Sequence, residues 1–342
     1  MKPRFMATAL PVICQKDTEK ACQVVLRCFP EAPAAPILRQ AMRAGTTKIP
    51  CTTMDEERKV VLFDRSPARQ PELLDFYEHY LAGDVDYFAP TPDQDPGFYR
   101  LAEMYREKPW PQLNAVHCFT VGPYTMGLSL KDESGAPAFY DDHIRDIIVK
   151  YLAMRAKWRV KEVQKLFPGI QTLTLLAEPA LSVYTSSVGT GRWDDIKNAL
   201  DEVMTAVDGV AGVHCCANFD WSLLMGTSAR VINFDTYRYG ETMALYGSNL
   251  AEFLARGGMI AWGIVPTHDP ATLDAENAAS LVNKLEHTLE MVVASGVDRD
   301  LLMGSSWITP SCDIATLSAE RGERVFELAR EVSQTMRAKY FG

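Results

Sequence analysis

The chain has 342 residues, of which 47% are hydrophobic and 23% charged, and a formal net charge of -9. An acidic chain without a basic run excludes the concentrated Lys/Arg surface that nucleic acid needs, and no apolar run approaches the length that spans a bilayer. The segment 1–11 starts basic, but Pro11 and Cys14 interrupt any apolar signal core, so a cytoplasmic location is expected and the eight cysteines are read as ligands or small core residues rather than bridges.

Eight apolar, β-rich runs can be picked out, at 4–10, 84–89, 112–121, 170–177, 209–216, 230–235, 258–265 and 301–308. Continuous rather than alternating apolar runs suit parallel strands buried on both faces. Helical patterns fall between them at 139–167, 193–207, 248–256, 274–295 and 318–340. Asp141 and Asp142 stand near the start of the first, Pro168-Gly169 stands just past its end, and Gly257-Gly258 stops the third. Strands alternating with helices predict βαβ units, and eight of them predict a single (β/α)8 TIM barrel domain over 1–342. Two stretches depart from the repeat. The run 57–64 reads as a strand of an inserted hairpin, and 91–111, rich in Pro and Asp, reads as a long loop or short helix over the barrel mouth.

Polar residues gather where these strands end. His214 and Cys216 are two apart, so in a strand their side chains share a face while Cys215 points away into the core. The next run ends at Asp235 and the last leads to Cys312. One imidazole, two thiols and a carboxylate form a donor set that zinc takes tetrahedrally. Glu178, followed by Pro179, stands at another strand end, where it would either orient a substrate or cap a neighbouring helix. After the third run, Gly122-Pro123-Tyr124 reads as a pocket wall or a structural turn. The ends of barrel strands are where barrel enzymes carry their chemistry. Cys14, Cys22, Cys28, Cys51 and Cys118 show no ligand-like spacing, and His79, His143, His268 and His287 read as surface residues. No dinucleotide fingerprint, phosphate loop or nucleophile elbow is present, and Gly189-Thr-Gly191 is too short to signify one.

His214-Cys-Cys216-Ala-Asn218, Val231-Ile-Asn-Phe-Asp235 and Thr309-Pro-Ser-Cys312 resemble the zinc signature of the cobalamin-independent methionine synthase superfamily, which also holds corrinoid-linked methyltransferases and uroporphyrinogen decarboxylase. Val121-Gly-Pro-Tyr124 and Glu178-Pro-Ala180 are further points of likeness, which runs from about residue 114 to the C-terminus. The resemblance implies a (β/α)8 barrel that holds one Zn2+ through His214, Cys216, Cys312 and Asp235 and moves a methyl group to a small thiol. Glu178, Tyr124 and Asn218 are the substrate-binding candidates, with Glu178 also the candidate catalytic group. The chain departs from the pattern at Asp235, where the synthases have Glu, at Thr8-Ala9-Leu10-Pro11, which lacks the usual glycine, and at Ala177, where an Asp is usual. One barrel's length points to methylcobalamin or a corrinoid protein, rather than polyglutamyl folate, as methyl donor. Two alternatives stand beside this reading. One is a metal-free, decarboxylase-like enzyme using Arg39, Gln40 and Arg43; the other is a zinc-binding corrinoid partner without turnover.

Overall fold

The computed structural model describes residues 2–38, 49–58, 60–184 and 192–342. Eleven strands follow in chain order: β1 (Met6–Ala7), β2 (Val12–Ile13), β3 (Ile37–Leu38), β4 (Thr52–Asp55), β5 (Val60–Phe63), β6 (Ala115–Val121), β7 (Gln171–Ala177), β8 (Val210–Cys215), β9 (Val231–Phe234), β10 (Met259–Val265) and β11 (Ser306–Pro310). Seven form one curled sheet in the order β1-β11-β10-β9-β8-β7-β6. Every pairing in it is parallel, as in a TIM-type barrel.

The segment 31–38 stands between the two edges of that sheet. On one side β3 pairs in parallel with β2, and the Thr8 hydroxyl donates to the Ala32 carbonyl at 2.7 Å. On the other side Ala34 bridges to His117, and the amides of Ala115 and His117 donate to the carbonyls of Glu31 and Pro33. The eighth position of the ring is therefore this segment, not the predicted strand at 84–89, which is a 3-10 turn, Val85–Phe88. Pro30, Pro33 and Pro36 explain the difference. Each lacks a ladder N–H, so the segment keeps only scattered pairings and carries no strand pattern.

Other boundaries shift for local reasons. The predicted run 301–308 is split: Arg299–Gly304 is helical, capped by Asp298, and only Ser306–Pro310 is strand. The predicted helix 274–295 divides into Pro270–Ala275 and Ala278–Ala294, with a reciprocal capping box between Asn277 and Ser280 starting the second. The inserted hairpin is present as antiparallel β4 and β5. The stretch 91–111 contains a 12-residue helix, Pro96–Glu107, started by the Asp95 side chain and by proline at its first position.

Continuous burial on both strand faces follows from two separate cores. Met6, Ala115, Leu173, Leu175, Val210 and Met259 fill the barrel interior. Val116, Leu176, Val213, Cys215, Ile232 and Phe234 face the helices. The parity of β8 thus sends Val210 and His214 inward and Cys215 outward, as the alternation of a strand requires.

Candidate metal centre

The nitrogens of His214 and the sulfurs of Cys216 and Cys312 come together at the C-terminal ends of β8 and β11, with their ligand atoms all within 4.8 Å of one another. Cys312 Sγ lies 4.0 Å from His214 Nε2. Zinc at bond lengths of about 2.0–2.3 Å holds tetrahedral ligand atoms roughly 3.5–3.8 Å apart, so a small contraction seats the ion. His214 is oriented for that task. Its Nδ1 donates to Asn233 Oδ1 at 2.6 Å, and the Asn233 amide in turn donates to the Ala261 carbonyl at 2.8 Å and to Thr309 Oγ1 at 2.7 Å. Both amide hydrogens have acceptors, so Oδ1 must face the ring and Nε2 is left as the donor atom toward the thiols.

The two thiols act as a pair. Their mutual contact holds the Cys216 thiol well below the usual thiol range, with His214 and His268 adding to the effect against burial, while the same contact and burial push Cys312 up. One proton shared between two sulfurs comes off early and the second late. Loss of that second proton is what a bound cation favours.

Asp235 does not join the cluster. Its carboxylate is fully buried and already engaged, accepting from the Arg238 amide at 3.1 Å and from Arg238 Nε at 2.5 Å, with His268 Nε2 at 3.2 Å. It caps the short helix Thr236–Tyr239 that follows β9. Asp is one methylene shorter than Glu, so the acid turns back onto its own helix start. Among the described residues the candidate centre thus has three protein donors, all in the wall of one cavity.

Glu178 is fully buried and performs the capping alternative. Oε1 accepts from the Tyr124 amide at 2.9 Å, and Oε2 accepts from the Thr125 amide at 2.7 Å and the Thr125 hydroxyl at 2.6 Å. Burial pushes its carboxyl up to about 7, opposed by those three donors. Gly122 is required here, because a Cβ would stand 2.2 Å from Glu178 Oε1. Both carboxylate oxygens thus accept from groups at the start of the helix Pro123–Ser129. The Tyr124 ring is buried against Phe139, with centroids 4.9 Å apart. Asn218 is exposed and lies off the cavity wall. Cys215 is core, as expected, as are Cys22, Cys28, Cys51 and Cys118. Arg39, Gln40, Arg43 and Gly189-Thr-Gly191 lie outside the described residues.

Three residues with roles here were not assigned any from sequence. Asn233 was legible in principle, since a lone amide in an apolar strand, two before Asp235 and inward by parity, needs a buried partner. His117 is inside the barrel, with Nδ1 3.2 Å from Thr8 Oγ1, and burial pulls its pKa down to about 3. Through Thr8, which also donates to the Ala32 carbonyl, this contact ties β6 to the end of β1 and to the 31–38 segment. Arg238, which also donates to the Cys216 carbonyl at 3.3 Å, left no signal beyond its i+3 spacing from Asp235.

A cavity of about 380 Å3 opens from the centre, with His214, Cys216 and Cys312 in its wall. No family model matches the sequence, and no curated protein is significantly similar to it. In structure, the chain is similar to a B12-independent methionine synthase from a Shewanella species, solved in complex with selenomethionine; the TM-score is 0.57, the identity 13%, and the match covers 98% of both chains. A putative vitamin-B12 independent methionine synthase from Listeria monocytogenes also matches, at a TM-score of 0.45 and 16% identity over 67% of this chain and 64% of that one. The first of these likenesses is one of fold, and it agrees with the TIM-barrel-like arrangement of the parallel sheet. No helix among the described residues is long and apolar enough to cross a membrane.

Proposed function

We propose that this chain is a zinc-dependent methyltransferase acting on a thiol. The observation that carries the reading is the convergence of His214, Cys216 and Cys312 on one point at the cavity wall, with Asn233 fixing the imidazole. These residues would hold the ion. Zinc bound there supplies acidity to a thiol placed in the fourth position, so that it reacts as thiolate at neutral pH.

The remaining work belongs to the chain. Cys216 and Cys312, as thiolates, bring two negative charges that keep the centre electron-rich, so a sulfur seated beside them stays nucleophilic. Asn233 holds His214 Nε2 on target. Phe119, whose ring centroid lies 6.0 Å from that of His214, is an apolar part of the cavity wall beside it. In the reaction the acceptor loses its S–H proton to solvent, a sulfur–carbon bond forms, and the methyl–donor bond breaks with its electron pair remaining on the donor. Asp235, engaged with Arg238 and His268, would not compete with the substrate sulfur for an ion held by His214, Cys216 and Cys312.

The expected corrinoid donor loses ground, since a structural neighbour matched over 98% of both chains is described as a B12-independent synthase. The test is incubation of zinc-loaded protein with homocysteine and simple thiols against methylcobalamin and a methyl-folate, with S-methyl product followed by mass spectrometry. Product that disappears on chelation and returns with zinc supports the reading. Stoichiometric zinc with no product from any donor–acceptor pair would instead favour the non-catalytic corrinoid-partner alternative.

A further inference from the structure

The short stretch that carries Cys312 is fixed at both ends. Ahead of it, the Ser311 amide donates to the Val265 carbonyl at 2.9 Å and the Ser311 hydroxyl accepts from the Thr267 amide at 3.2 Å; behind it, the Ile314 amide donates to the Val12 carbonyl at 3.0 Å. Between those ties stand Cys312 and Asp313, both in the wall of the cavity. Neighbouring side chains in an extended strand point to opposite faces. Here β11 has ended at Pro310 and the chain turns, so the two converge: Asp313 Oδ2 lies 3.9 Å from Cys312 Sγ.

The two oxygens of Asp313 are used differently. Oδ1 accepts from the Ala315 amide at 3.0 Å and closes a turn. Oδ2 meets only the Cys312 thiol, a weak donor, and among the described residues no cationic side chain pairs with Asp313. The other carboxylate in the wall, Asp95, is matched by Arg159. Asp313 stands beside the donor cluster, which among the described residues is His214, Cys216 and Cys312. Its charge reaches the centre all the same, as one of the causes that push the Cys312 thiol up. Once Cys312 gives its proton up to a bound cation, Oδ2 loses its donor and faces a thiolate. Cys216, Cys312 and an acceptor thiolate then bring three negative charges to a divalent ion, and Asp313 adds a fourth next to them. A positive group on the acceptor would offset the excess.

We infer that Asp313 selects the acceptor: the thiol carries an ammonium group two or three carbons from its sulfur, and that ammonium donates to Asp313 Oδ2. This rests on the thiol-transfer reading above and adds to it the substrate class and the residue that reads it. The reach is suitable. Ligand atoms around a tetrahedral zinc stand roughly 3.5–3.8 Å apart, so a sulfur sharing the ion with Cys312 has Oδ2 within about 8 Å, a span that two or three carbons, a nitrogen and one charge-assisted hydrogen bond can cover.

The probes are 2-aminoethanethiol, 2-mercaptoethanol and 3-mercaptopropionate, similar in size and carrying a cation, no charge and an anion. With cobalt in the metal site, thiol ligation is read from the sulfur-to-cobalt charge-transfer band, and each affinity is compared between wild type and Asp313→Asn, which cancels the thiols' own differences in acidity. Asparagine keeps an acceptor for the Ala315 amide, so the turn survives; Asp313→Glu is the second variant, and cooperative urea unfolding shows that each is folded. The aminothiol is expected to lose about tenfold in Asp313→Asn, as a charge-assisted hydrogen bond becomes a neutral one, while the mercaptoalcohol changes by less than about twofold. The mercaptocarboxylate should gain, and Asp313→Glu should keep the preference for the cation. The same three affinities in wild type and Asp313→Asn overturn the inference and leave the thiol-transfer reading intact. So does metal affinity weakened about tenfold or more in Asp313→Asn, which would make the carboxylate a ligand of the ion. A cobalt spectrum unmoved by every thiol sinks the thiol-transfer reading and the acceptor assignment with it.

Discussion

Two regions at the same end of the barrel respond differently to the same address. His214, Cys216 and Cys312 stand at or after the ends of β8 and β11 and point their donor atoms at one another. Glu178 and Asp235 stand just after β7 and β9, equally buried, yet both turn to the unsatisfied amides of the short helices beside them. A strand end places a side chain in the mouth; what the side chain does there depends on the nearest unmet hydrogen-bonding demand. Sulfur is a weak acceptor, and no helix N–H group claims it. A carboxylate is a strong one, and exposed helix N–H groups claim it first.

This contrast can be broken most sharply at the sulfurs. Purified wild type should carry close to one zinc per chain by elemental analysis, and Cys216→Ser and Cys312→Ser should each lose nearly all of it. Metal retained in both would remove the centre. Next in size is Asn233→Leu, which deletes the partner of His214 Nδ1; competition with a chromophoric chelator should show zinc affinity down about 10–100-fold.

The carboxylates sharpen the comparison from the other side. Glu178→Gln keeps shape but loses charge and one acceptor, and should cost about 1–3 kcal/mol in urea unfolding with zinc content unchanged. Asp235→Asn should likewise leave zinc affinity within about twofold, a change too small for a lost metal ligand. A large loss of zinc in either variant would return that acid to the metal.

The last prediction concerns the barrel interior, away from the cluster. His117 has its pKa pulled down to about 3, so the folded protein keeps it neutral while the unfolded chain protonates near 6.5. Its contribution is present above 6.5 and is lost as pH falls from there toward 3, at up to about 1.4 kcal/mol per pH unit. His117→Gln should flatten this part of the pH–stability curve relative to wild type, and identical slopes would show that His117 does not titrate on unfolding.

Much of this arrangement was legible in the one-dimensional pattern. Apolar runs at 170–177, 209–216, 230–235 and 258–265 became β7 to β10 within a residue or two, because strands buried on both faces must be apolar along their whole length. The period of two also separated His214 and Cys216 from Cys215 with no knowledge of the fold. Failure came where a segment's state is set by its neighbours. The 31–38 stretch is held in the ring by partners on either side, despite prolines that erase its own strand signal, and 84–89 reads as strand yet has no vacant edge to join.

What the sequence alone determined, then, is the barrel class and the three soft donors, since periodicity and residue chemistry are local properties. Only the tertiary structure decided that Glu178 and Asp235 cap helices and that Asn233 aims the imidazole. Each depends on which atoms distant in sequence lie within hydrogen-bonding reach, and a buried polar group goes to the partner that packing places beside it.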